Sequence, residues 1–214
     1  QEGATPANRA KIKRIQKRAR ELNVYGVIRE CDVALAHVTK DDRLWTHLLF
    51  GVAQGSQHKR IKRLSGLKLS PRSEYTWLPD QSPQNQATTI LHLATGKILP
   101  DGPSLKTGQV LHRLLNIFSR DFYRPLRVGE IHEALFPGKF YHPRASPLAV
   151  RQALHRLRNW FCKHQLPFHI KEHRGTYRLV SQNGGGILLQ ASTRLGQEDE
   201  SFTSACLVEK LRAC

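Results

Sequence analysis

Methionine is missing from all 214 residues of the chain. A sequence without an initiator reads as a processed form or as a fragment of something longer. No apolar run approaches the roughly eighteen residues needed to suggest a membrane span, and no charged-then-apolar leader opens the chain. A soluble, cytoplasmic protein that does not span a membrane is therefore expected. Cysteine is scarce: Cys31, Cys162, Cys206 and Cys214 are scattered without a Cys-x-x-Cys pair. That argues against a disulfide framework or zinc ribbon and for reduced thiols. Acid is the next shortage, with 17 Asp and Glu against 34 Lys and Arg, a formal net charge of +17 and a pI near 10.3. Such an excess points to a polyanionic partner: nucleic acid, an anionic membrane surface or an acidic protein. There is no nucleophile elbow, phosphate-binding glycine loop or pair of catalytic carboxylates, which weighs against an enzyme. No catalytic residue, metal or cofactor is expected.

What is present begins with helical patterning. Residues 7–22 hold Ile12, Ile15, Ala19 and Leu22 at helical spacing, with seven Lys or Arg between Arg9 and Arg20 and no acid among them. The run VIRECDVALAHV follows Gly26, and Asp41 or Asp42 can cap RLWTHLLFGVA. Residues 55–73 are polar and basic, PDQSPQNQ is rich in Pro and Gln, and a linker is expected in this stretch. TTILHLATGKILPDG looks like a hairpin turning near Thr95 and Gly96. Leu111, Leu114, Leu115 and Phe118 then mark one helix, and Val128, Ile131 and Leu135 a second that stops at Pro137. A third runs from Ser146, a candidate N-cap before Pro147, to about His164. Beyond Val180, SQNGGG reads as a flexible joint, and SFTSACLVEKLRAC as a short amphipathic helix, the possible start of a further domain.

The stretch 144–180 concentrates the chemistry. It carries eight Lys or Arg, four His and one acid, Glu172. Val150, Leu154, Leu157 and Phe161 form an apolar stripe that must pack on the preceding helices. Neighbouring faces present Arg151, Gln152, His155, Arg156, Arg158 and Asn159, donors suited to phosphates and base edges. Next comes FHIKEHRGTYRLV, which alternates through Phe168 and Ile170, turns at Arg174-Gly175 and returns through Tyr177, Leu179 and Val180. A basic turn beside a basic helix suits a helix in the major groove with the turn on the adjacent backbone or minor groove.

The order hairpin, three helices, hairpin, with Arg156-Leu157-Arg158 and Arg174-Gly175-Thr176-Tyr177-Arg178, resembles the winged-helix output domain of OmpR/PhoB-type response regulators. The resemblance covers about residues 72–180. It implies an α+β fold: a winged helix-turn-helix with an N-terminal hairpin or small sheet, three helices and a C-terminal hairpin wing, preceded by a short all-α segment. The units expected are a basic, repeat-like helical segment over 1–65, a linker and first strand over 66–86, the DNA-binding domain over 87–181, and a linker with a short helix over 182–214. The N-terminal helices loosely resemble tetratricopeptide repeats. The resemblance implies sequence-specific binding of double-stranded DNA by a transcriptional regulator, through Arg144, Arg151, Gln152, His155, Arg156, Arg158, Lys171 and Arg174. It also implies an RNA polymerase contact through the 137–145 loop. The wing departs from the family pattern by lacking a glycine between Thr176 and Tyr177, and Glu172 stands where a small hydroxyl residue is usual. About seventy helical residues cannot hold a receiver domain, so the usual phosphorylation switch is not expected.

Two other readings remain. Cys162, His164, His169 and His173 are metal-ligand types without a known ligand spacing, so imidazoles near phosphate are the simpler account. A winged helix can also bind protein, and the N-terminal helices are candidates for a protein partner or a homodimer contact. Trp160 and Phe161, at the inner end of the third helix, are expected in the core.

Overall fold

The computed structural model describes residues 5–52, 55–79, 87–182 and 184–192. Its first part is helical: α1 (Pro6–Glu21), α2 (Tyr25–Thr39), α3 (Asp42–Gly51) and α4 (Ser56–Ser65). Of the two candidate caps for α3, Asp41 is the one used, accepting the backbone N–H groups of Arg43 and Leu44 at 2.9 and 3.2 Å. α1 buries only Gln16 and Ala19, which leaves its Lys and Arg residues in solvent. α4 falls within the helical segment expected over 1–65, although no helix was placed there from the sequence, and the stretch expected to hold a linker follows it. The one buried residue of α4, Ile61, anchors a basic helix that packs on α3 and α2. One apolar anchor among charges is too little to register as a period.

The rest of the chain mixes strands and helices: β1 (Glu74–Trp77), β2 (Thr89–His92), β3 (Lys97–Leu99), α5 (Val110–Phe118), β4 (Leu126–Arg127), α6 (Val128–Leu135), α7 (Ala145–Lys163), β5 (Phe168–His173), β6 (Thr176–Ser181) and β7 (Gly185–Gln190). The architecture is α+β, with seven helices and two sheets among the described residues. One sheet has the order β1-β7-β2-β3 and the other β4-β6-β5. The hairpin expected around Thr95 and Gly96 is the antiparallel pair β2-β3, with Leu91 opposite Ile98.

β7 overturns the flexible joint expected after Val180. It lies inside its sheet, antiparallel to β1 and parallel to β2, with Ile187 opposite both Trp77 and Leu91. Ile187 and Leu189 are fully buried. The glycines before them serve close packing: a Cβ on Gly185 would stand 2.8 Å from Pro167 Cγ, and one on Gly186 would stand 2.8 Å from Ala87 Cβ. The helix expected within 201–214 and residues 80–86 of the Pro- and Gln-rich stretch lie outside the described residues.

The apolar stripes meet as their periods require. Leu114, Leu115 and Phe118 of α5, Ile131 and Leu135 of α6, and Val150, Leu154, Leu157 and Phe161 of α7 share one core with both sheets. Leu111 and Val128 are half-buried at its edge. Each fully buried Leu contributes roughly 1.5–3 kcal/mol relative to exposure. Phe161 belongs to this core, while Trp160 is half-buried beside it. A second core joins α1 to α4 and is closed by Tyr123 from the segment after α5. Phe122 stitches the two together, stacking on Trp77 at 4.2 Å and donating its N–H to the Gly51 carbonyl at 2.8 Å. Only a glycine fits there, because a Cβ on Gly51 would come within 2.1 Å of the Phe122 ring. Among the described residues no helix is long and apolar enough to cross a membrane.

Candidate nucleic-acid interface

α7 presents two chemically distinct faces. Its buried row holds it against α5, α6 and β5. Arg151, Gln152, His155, Arg156 and Asn159 are exposed on the other side, where helical spacing places them in one band. Asn159 Nδ2 lies 3.0 Å from His155 Nε2, which orients both polar tips. The start of the helix differs from expectation. Ser146 is not the N-cap; it is buried in the first turn, and its Oγ accepts the N–H of His142 at 2.9 Å. His142 Nδ1 in turn accepts the N–H groups of Arg144 and Ala145 at 3.3 and 3.2 Å. An imidazole thus satisfies the N–H groups of the N-cap residue and of the first helical residue. Pro147 still fits, since its missing N–H has no partner inside the first turn. Arg144 is exposed at this end, next to the loop on which Phe140 is 88% exposed.

The β5-β6 hairpin closes on two residues, with His173 paired to Thr176. Arg174 and Gly175 have φ of 49° and 73°. Both lie in the left-handed region, the pattern of a two-residue type I′ turn whose twist matches the strands. The turn therefore needs no further glycine, and Arg174 stands exposed at its tip. Pairing also sorts the side chains. Ile170, Tyr177 and Leu179 face the core, while Lys171 lies opposite Arg178 on the other face of the sheet. Lys171 is exposed there, turned away from the α7 side.

Arg158 departs most from its expected role. It is half-buried, and its Nη2 donates to the Ile170 carbonyl at 3.1 Å, so it ties α7 to β5. Arg151 reaches the hairpin from its exposed position. Burial raises the Tyr177 hydroxyl above its ordinary pKa, the Glu172 charge and a hydrogen bond to it add to this, and Arg151 opposes it through its charge and its own hydrogen bond. The carboxylate that would repel phosphate at Glu172 is thereby engaged with the buried edge of the hairpin. The structure brings Arg151, Gln152, His155 and Arg156 together, sets Arg144 and Arg174 at the ends, and sends Lys171 to the opposite face.

A polar network was not anticipated from the sequence. Asp32, buried in α2, accepts from Gln16 Nε2 at 2.5 Å and from the Tyr123 hydroxyl at 2.8 Å. Burial lifts its carboxyl to about 6, against the lowering effect of the Tyr123 and Gln16 hydrogen bonds and the Arg20 charge. Close by, His47 Nδ1 lies 2.7 Å from the Tyr75 hydroxyl, and desolvation with the Arg20 charge brings its imidazole down to about 4. Arg20, Asp32, His47 and Tyr123 line a cavity of about 230 Å³ where the helices meet the mixed part of the chain. Cys162, His164, His169 and His173 do not converge, and among the described residues no three His, Cys, Asp or Glu side chains are placed to hold a metal ion. No family model matches the chain, and neither a curated protein nor a solved structure matches it.

Proposed function

We propose that the chain is a winged helix-turn-helix regulator of the OmpR/PhoB type that binds double-stranded DNA in a sequence-specific manner, and that it acts by binding, without catalysis. The observation that carries this reading is the uninterrupted donor band of α7: Arg151, Gln152, His155 and Arg156 exposed on a helix whose opposite side is locked into the core. Such a helix can enter a major groove, with Arg reading guanine, Gln reading adenine and the exposed Leu148 at the head of the same face available to a thymine methyl. Arg144 would hold the backbone near the helix start, and Arg174 at the hairpin tip would reach the neighbouring minor groove. Replacing Arg151 and Gln152 with Ala should cost roughly 1–3 kcal/mol each at a preferred site and relax base preference there. Equal losses on every duplex would make them backbone contacts and remove the assignment of readers.

A protein-binding role has its own support. Ile12, Ile15, Val27 and Ala34 line an open apolar groove of about 270 Å³ on α1 and α2. Ile15 and Val27 are exposed there, and exposed apolar surface of this kind marks contact sites. In this reading the N-terminal helices receive a protein or a second copy, and the exposed Phe140 serves the 137–145 loop as a polymerase contact. A protein partner gives no steep salt dependence of the kind DNA gives, so titration across ionic strength separates the two readings.

A further inference from the structure

The open groove between α1 and α2 has the shape and charge to receive one more helix. Ile12 and Ile15 form one wall and Gly26, Val27 and Ala34 the other, with Ile15 and Val27 exposed. The strip from Gly26 to Ala34 on α2 is about 12 Å long, and its two small residues let another backbone approach closely. Along the α1 rim Lys11, Arg14 and Arg18 recur at i, i+3 and i+7, all exposed. Arg18 has Glu21 at 2.9 Å, and α1 holds no other acid. On the α2 rim Glu30 is held by Arg29 at 3.3 Å and by Arg60 at 2.8 Å, which leaves the groove with a basic border.

The sequence contains a segment that matches this surface in pattern, length and charge. Leu207, Leu211 and Cys214 recur at i, i+4 and i+7 with Val208 beside them, the pattern of one apolar helix face. As a helix, 204–214 is about 16 Å long, enough to cover the strip on α2. A helix that short is marginal in water unless it finds a surface to cover. Glu198, Asp199 and Glu200 precede it, the only three consecutive acids in a chain of net charge +17. Their charge suits a helix N-terminus and is opposite to that of the α1 rim. The connection is long enough. Ser192 donates its N–H to the Pro71 carbonyl at 3.0 Å, and from there residues 193–203 span up to about 36 Å, more than the roughly 30 Å diameter of a small domain.

We propose that the groove is the docking site of this chain's own segment 204–214, bound as a short helix with Leu207 and Leu211 on Ile15 and Val27, and with Glu198, Asp199 and Glu200 toward the α1 rim. Docking covers the exposed apolar surface of the first two helices and offsets part of the charge of α1. A protein partner or a second copy then gains the groove only by displacing the segment. The assignment does not depend on α7 reading DNA.

Hydrogen exchange of the intact chain reads this docking directly. An effective concentration of about 1 mM against a peptide affinity of about 100 μM gives about tenfold occupancy. The amides of 205–213 should therefore exchange about tenfold more slowly than in the Leu207→Asp, Leu211→Asp chain. Val27→Glu should restore fast exchange in the segment although the segment itself is unaltered. A carboxylate at that position stands in the first turn of α2, where it is favourable, so the helix is kept. Leu64→Glu, the same kind of change at an apolar residue exposed on α4, should leave the slowing intact. Glu198→Gln with Asp199→Asn and Glu200→Gln should reduce it. Fast exchange of the segment in the native chain would overturn the docking, as would slowing that survives Val27→Glu or is lost equally in Leu64→Glu. Slowing that grows with protein concentration, alongside a dimer in sedimentation, would hand the groove to a second copy and overturn the occupant within the chain. Slowing untouched by neutralising the three acids would overturn the charge match on which the choice of segment rests.

Discussion

Asp32→Asn should change how the stability of the chain depends on pH, with a sign and size set by two buried groups. In the folded chain the Asp32 carboxyl is raised from 3.8 to about 6. Between those values the unfolded chain releases the proton first, so stability falls as pH rises through this window. At about 1.4 kcal/mol per pH unit the loss amounts to about 3 kcal/mol once both states are ionised. His47 works in the opposite direction. Its imidazole is lowered from 6.5 to about 4, the unfolded chain holds the extra proton over that interval, and stability climbs with pH. The two slopes nearly cancel in the native chain. Asn retains the size of Asp32 and can accept from Tyr123, while the Gln16 amide turns to offer its oxygen. With Asn in place only the His47 rise remains. Urea denaturation at intervals from pH 4 to pH 7 should therefore show the variant gaining on the native chain by about 3 kcal/mol. A difference that is constant with pH, or that shrinks as pH rises, would refute a carboxyl held above its ordinary range by burial.

Arg158→Ala should lower stability by about 1 kcal/mol through loss of the bond to the Ile170 carbonyl, leaving base preference intact. Altered preference without a stability loss, read from urea midpoints and binding to variant sites, would return Arg158 to the readers. Arg174→Gly removes the tip charge while relieving a left-handed backbone. Its melting midpoint should hold or rise while affinity falls, most on sites flanked by A·T runs, where the minor-groove potential is strongest. A loss equal on A·T and G·C flanks would take Arg174 out of the minor groove.

Features with a local physical signature could be read from the residues. The stripe Val150, Leu154, Leu157, Phe161 and the alternation around Arg174-Gly175 each follow from one period and one turn preference, and both occur where expected. β7 escaped because glycine commonly signals flexibility, whereas Gly185 and Gly186 are required by the nearness of Pro167 and Ala87. α4 was legible only as the end of a helical segment running to residue 65, because its burial rests on Ile61 alone. Asp32 and Tyr123 are 91 residues apart, and no local pattern links them. The band on α7 was legible as exposed donors, but the diversion of Arg158 depends on where β5 lies.

Selection of bound duplexes from a random pool by the intact chain tests the central claim most directly. If the α7 band reads bases, a short motif becomes enriched, binding weakens steeply as salt rises, and the Arg151→Ala, Gln152→Ala chain enriches a degraded motif. Recovery of the same unselected pool by both chains, or an affinity indifferent to salt, would contradict it.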